Sequence, residues 1–143
     1  MLLTLFASFL SAALAYQAPA PSGSFPALDY NFFKEKVQPI FLTKRPGHAR
    51  CYVCHRGEGG TNYLQPLSPG ASTWSEEQSR KNFDSVRRYV IPGNPANSRL
   101  LIHPLAESAG GDDFHGGGRQ FESRETPEWR TIAVWIRGEK LQP

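Results

Sequence analysis

Residues 51 to 55 read Cys51-Tyr52-Val53-Cys54-His55, and they hold the only two cysteines of the chain. Two thiols separated by two residues and followed at once by histidine form the attachment signature of a covalent haem. On one helical turn the thiols share a face, which lets both form thioethers with the vinyl groups of one haem, while the histidine offers an imidazole nitrogen to the iron. One haem c is therefore expected, with Cys51 and Cys54 as anchors and His55 as proximal iron ligand. A disulfide redox pair uses the same gap, but usually at the end of a strand in a βαβ unit, and no such pattern is present. A zinc site needs two more ligands at close spacing, and His48, His103 and His115 do not form a pair three to five residues apart. A chance match to so short a motif is the third alternative.

The first fifteen residues argue against chance. Residues 1–15, MLLTLFASFLSAALA, carry no charged side chain, hold an apolar run and end in Ala13-Leu14-Ala15, the small-x-small pattern of a cleaved signal peptide. Cleavage is expected after Ala15, with an uncleaved membrane anchor as the alternative. The run is too short and alanine-rich for a good transmembrane helix. Covalent haem attachment goes with export, so the two signals agree, and a periplasmic or other extracytoplasmic location is expected.

What remains is sized for one small domain. Hydrophobic residues make up 39% of the chain and its mean hydropathy is −0.45, so the polypeptide looks short of core on its own account. A large apolar haem would supply much of the core, and the protein without it is expected to fold poorly. The formal charge of +3 is close to what two haem propionates would cancel. No nucleic-acid partner is expected, because Lys and Arg are scattered rather than gathered into a stripe. Lys44, Arg45, Arg50 and Arg56 lie near the motif, where a basic rim would steer an acidic redox partner or simply be solvated surface.

Along the chain, residues 16–28 read as a flexible leader rich in Ala, Pro, Ser and Gly. Residues 29–143 form the predicted domain. Asp29 precedes an apolar pattern of Phe32, Phe33, Val37, Ile40 and Phe41 that suits an amphipathic helix, kinked or ended by Pro39. Pro46-Gly47 turns the chain toward Cys51. Residues 57–70 read as a loop around the haem, with Tyr63, Leu64 and Leu67 as apolar contacts. Thr73 with Glu76, or Ser75 with Gln78, offers a capping box for a helix whose stripe is Phe83, Val86, Tyr89 and Val90, stopped by Pro92-Gly93. Pro95 to Leu101 suggests a short helical segment begun by Asn94 or Asn97. Residues 106–125 are expected to be a loop without regular structure. Thr126 and Pro127 start a last helix with stripe Trp129, Ile132, Ala133 and Ile136, ended by Gly138, and Trp135 is expected in the core.

This order of elements resembles the class I type of cytochrome c, and more specifically the monohaem domains of exported planctomycete and acidobacterial proteins. The residues that carry the resemblance are Val37-Gln38-Pro39-Ile40-Phe41 ahead of Cys51-Tyr52-Val53-Cys54-His55, then Pro92-Gly93-Asn94-Pro95 with Ser98-Arg99-Leu100-Leu101, and finally Trp135-Ile136-Arg137-Gly138. It covers residues 29 to 138. The resemblance implies a mainly α, small cytochrome c-like helical domain wrapped around one covalent haem, with long Gly-rich loops. In that family a methionine between the Ser-x-Leu-Leu helix and the final helix commonly fills the sixth iron position. Here the only methionine is Met1, inside the predicted signal, so that position falls to histidine, another side chain, water or nothing.

His115, in Phe114-His115-Gly116-Gly117-Gly118, occupies the segment where relatives carry methionine, and its glycines let backbone approach a haem closely. It is the expected distal ligand. His103 is the alternative, its other role being to bond a propionate or cap the helix before it. His48, three residues before Cys51, is expected to be exposed. Arg99, Arg119 and Arg124 are candidate propionate partners or ordinary surface arginines. Asp112 and Asp113 would cap a turn, or order His115 by accepting its second ring N–H.

The expectation is an exported monohaem electron carrier with bis-histidine iron, not an enzyme, serving redox partner proteins that include membrane-bound complexes. The alternatives are a haem-bearing subunit fixed in a larger membrane or filament assembly, and a ligand-binding sensor or peroxidase with an open iron.

Overall fold

The computed structural model describes residues 24–57 and 61–142. Over them the chain is mainly helical, as expected, with two isolated β-bridges and no longer strand among the described residues. The predicted signal peptide and residues 16–23 of the predicted leader lie outside the described residues. No helix among the described residues is long and apolar enough to cross a membrane.

Asp29 opens the first helical segment, α1 (Tyr30–Phe32): its carboxylate accepts from the Phe32 backbone N–H at 2.6 Å, satisfying a donor that a helix start leaves free. Sequence periodicity predicts one amphipathic helix from here. Instead the chain widens into a π-helical turn, Phe33–Val37, and tightens into a 3₁₀ turn, Gln38–Leu42. The change falls next to Pro39, which has no N–H for the preceding turn, so the regular ladder cannot continue through it. The inward stripe survives: Phe33, Val37, Ile40 and Phe41 are all buried.

Helix α3 (Glu76–Val86) follows the single turn of α2 (Cys51–His55) and a long loop. Of the two capping boxes the sequence offers, the structure uses Ser75 with Gln78. The helix narrows to a 3₁₀ turn at Arg87–Tyr89 before reaching Pro92. Gln38, Ser79 and Asn82 form a buried polar link between α3 and the first segment, with Gln38 Nε2–H donating to Ser79 Oγ at 2.9 Å and Asn82 Nδ2–H donating to Gln38 Oε1 at 3.2 Å. The predicted helical segment from Pro95 divides in two at Ser98. Asn94 caps a 3₁₀ turn, Pro95–Asn97, and α4 (Arg99–Ile102) begins afresh.

Helix α5 (Pro127–Ile136) begins after Thr126 as predicted, buries Trp129, Ile132, Ala133, Trp135 and Ile136, and stops before Gly138, whose φ of +90° suits glycine. Trp135 is fully buried, 5.3 Å from the Phe33 ring and 6.1 Å from Phe83, and its indole N–H donates to the Asp29 carbonyl at 2.9 Å. The last helix thus closes on the first. Leu28 packs against the same core and Pro26 lies against Gly138, so the end of the predicted flexible leader is held by the domain.

Candidate functional site

Helix α2 is barely more than one turn, and it turns Cys51, Cys54 and His55 into a common cleft. Immediately after His55 the chain doubles back. The backbone N–H groups of Tyr63 and Leu64 both donate to the His55 carbonyl at 3.0 Å, and Gly57 N–H donates to the Leu64 carbonyl at 3.0 Å. This bridge lays the Tyr63 ring on the His55 ring, with centroids 4.6 Å apart and planes 25° apart. His55 Nδ1–H donates to the Thr61 carbonyl at 2.8 Å. A carbonyl has no proton to give, so the proton sits on Nδ1 and the neutral ring keeps its lone pair on Nε2.

The opposite wall comes from α4 and the loop behind it. His103, just after α4, donates from Nδ1 to Asp112 Oδ2 at 2.8 Å, and Arg99 stands 3.9 Å from the same oxygen. His115 donates from Nδ1 to the Gly118 carbonyl, two positions that only a tight glycine turn brings together, and Gly118 has φ of +78°. All three imidazoles are therefore fixed at Nδ1 by an acceptor, the arrangement that orients metal-binding histidines. The His115 ring lies 6.1 Å from His55 with planes 21° apart, and 4.9 Å from His103 at 85°. Burial lowers the His115 pKa, with His103, His55 and Arg119 adding to it and the Gly118 bond opposing it, so the neutral form is favoured.

Between these walls is an open cleft, about 820 Å³ of empty space when counted out to its mouth. Its sides are mainly carbon, from Ile40, Phe41, Tyr63, Tyr89, Leu100, Phe121 and Ile132. Both thiols are free, Cys54 exposed and Cys51 largely covered, and burial raises the Cys51 pKa. Burial also pushes the Tyr63 phenol far above its ordinary range, which keeps it neutral.

Cys51, Cys54, His55, His103 and His115 thus all meet in one place, 64 residues apart in sequence at the extremes. Other expectations need correction. Asp112 orders His103, not His115, because the turn after His115 supplies its own carbonyl. His48 is half-buried against Gly118 rather than exposed. Of the three predicted loop contacts only Tyr63 reaches the cleft; Leu64 is fully buried in the core and Leu67 packs on it. Residues 106–125 contain a 3₁₀ turn, Glu107–Ala109, and a bridge between Leu105 and Phe121. Arg119 donates to the His103 carbonyl and to Glu107, and Arg124 donates to the Ala109 carbonyl, which leaves Arg99 as the predicted arginine in the cleft wall.

Arg45, expected in a basic surface rim, is instead sunk behind the cleft, its side chain 11% exposed. The guanidinium lies over the Phe121 ring at 5.2 Å, 3.5 Å from Glu128, and its Nε and Nη2 have no hydrogen-bond partner among the described residues. Neither Arg45 nor its partner Gln120 stands in any sequence pattern that marks a site. No family model, no curated protein and no solved structure matches the chain.

Proposed function

We propose that the chain is an exported monohaem c-type cytochrome that passes single electrons between redox partner proteins, membrane-bound complexes among them. The observation that carries this reading is the His55–His115 pair, facing across a cleft into which Cys51 and Cys54 also open. Their ring centroids lie 6.1 Å apart with planes 21° apart. No group of three or more His, Cys, Asp or Glu side chains suited to a metal ion exists among the described residues. A bare ion would lack ligands there, whereas a haem brings four nitrogens of its own.

The residues present fit that group. Cys51 and Cys54 would hold it through thioethers, His55 and His115 would ligate its iron, and the carbon walls of the cleft would pack against it. When bound, the haem supplies a one-electron iron couple. The chain's share is to fix the tautomer of each imidazole through Thr61 and Gly118 and to exclude water with Phe41, Tyr63, Leu100 and Phe121. Histidine in place of methionine at the sixth position leaves out the thioether that raises potential, so a low potential is expected.

The test is the absorption spectrum of the reduced protein with and without CO. A low-spin spectrum that CO changes slowly at most supports a closed bis-histidine carrier. Rapid CO binding would mean an open iron and a sensor or peroxidase instead.

A further inference from the structure

The loop that carries His115 is poorly anchored by its own residues. Three successive glycines follow the histidine, and Phe114 before it is 72% exposed and so offers little packing. A chain of hydrogen bonds from beneath ties the loop down. Gln120, 6% exposed, donates from Nε2 to the Gly117 carbonyl at 3.3 Å, and the next residue's carbonyl is the one that holds His115 Nδ1. The Gln120 carbonyl oxygen in turn accepts from Arg45 Nη1 at 3.0 Å. Arg45 is itself set between the Phe121 ring and Glu128 in the first turn of α5.

We propose that Arg45 and Gln120 are positioning residues that hold His115 at the iron, so that the ease with which the distal imidazole leaves is set by this buried clamp. The inference rests on the haem reading above and adds to it a control of the sixth ligand. A charged donor bonded to a buried amide makes a stronger link than a neutral pair, and a buried amide that loses its partner cannot turn to water instead. The clamp also explains why an arginine is placed in the interior. Its charge polarises Gln120, and Gln120 passes the constraint to a segment whose glycines supply none.

The test uses the full haem-loaded protein with Gln120→Glu, Gln120→Leu, Arg45→Met and Arg45→Lys. Gln120→Glu keeps the size and the acceptor for Arg45, puts an acceptor in place of the donor to Gly117 and adds a charge that Arg45 pairs with, so it decides the question even where Gln120→Leu fails to fold. The readouts are the rate at which CO replaces the distal ligand in the reduced protein and the ferric low-spin spectrum. Gln120→Glu, Gln120→Leu and Arg45→Met are expected to speed CO entry about tenfold or more, the effect of about 1.4 kcal/mol, while Arg45→Lys stays nearer the wild type. A high-spin component in the ferric spectrum of either Gln120 variant supports the clamp as well, because it reports iron that His115 has left. Wild-type CO rates and spectra in both Gln120 variants would overturn the proposal. A wild-type protein without haem, or without a bis-imidazole spectrum, would overturn the underlying reading instead.

Discussion

The two sides of α5 face different interiors. On one, Trp135 interlocks with Phe33 and Phe83 at 5.3 and 6.1 Å, and Trp135 and Phe33 are fully shielded from solvent. On the other, Ile132 joins Phe41, Tyr63 and Leu100 in the wall of an open cleft. The polypeptide completes its core at one end and leaves it unfinished at the other. The unfinished end is where both cysteines and three of the four histidines gather. Ile132, Phe41 and Leu100 are themselves nearly covered by their neighbours, so the open end is an apolar cleft of little exposed area, and under the proposed function it is the end that a haem would fill.

Breaking the closed half should have the largest effect. Trp135→Ala removes the side chain that joins the first and last helices, and a loss of about 3–5 kcal/mol is expected in denaturant unfolding. A loss below about 1 kcal/mol would mean that the closed half is not the anchor. Removing both proposed attachment points with Cys51→Ala and Cys54→Ala tests the open half. The expected loss is about 2 kcal/mol or more as cleft walls return to water. Hydrogen exchange should then quicken in residues 99–121 while residues 30–37 and 127–136 stay protected; uniform acceleration would deny the contrast.

Asp112→Asn sharpens the comparison between the two distal histidines. It weakens the bond that holds His103, at a cost of about 1 kcal/mol given its partial exposure, and should leave the low-spin spectrum unchanged. Loss of the low-spin spectrum would make His103 the distal ligand. The smallest effect concerns Glu76 on the closed half, whose carboxyl is held below its ordinary range by the Lys34 bond first and then by Tyr30. A depressed carboxylate stabilises the fold at neutral pH and loses that contribution as pH falls through its folded pKa. Lys34→Met should remove this part of the acid sensitivity; an unchanged acid limb of the stability curve would show that the pair contributes nothing.

How far the sequence foretold this arrangement differs between the same two halves. The closed half was legible because its information is periodic: the Trp129, Ile132, Ala133, Ile136 stripe and the Ser75–Gln78 capping box are local patterns with local causes. Cys51, Cys54 and His55 were legible as a motif, and His115 and His103 as the histidines placed beyond it. What was not legible depends on how distant segments meet. The departure from a regular helix at Phe33–Val37, the transfer of Asp112 to His103, and the burial of Arg45 against Gln120, 75 residues away, have no local signature. A buried arginine reads like a surface one until its partners are in place.

The proposed function stands or falls on a porphyrin bonded to this chain through both sulfurs. The most direct measurement is the intact mass of the purified exported protein under denaturing conditions, recorded beside its visible spectrum. The expected result is the polypeptide mass plus one haem, resistant to acid extraction, in a red protein. A colourless protein with the mass of the bare polypeptide would contradict it.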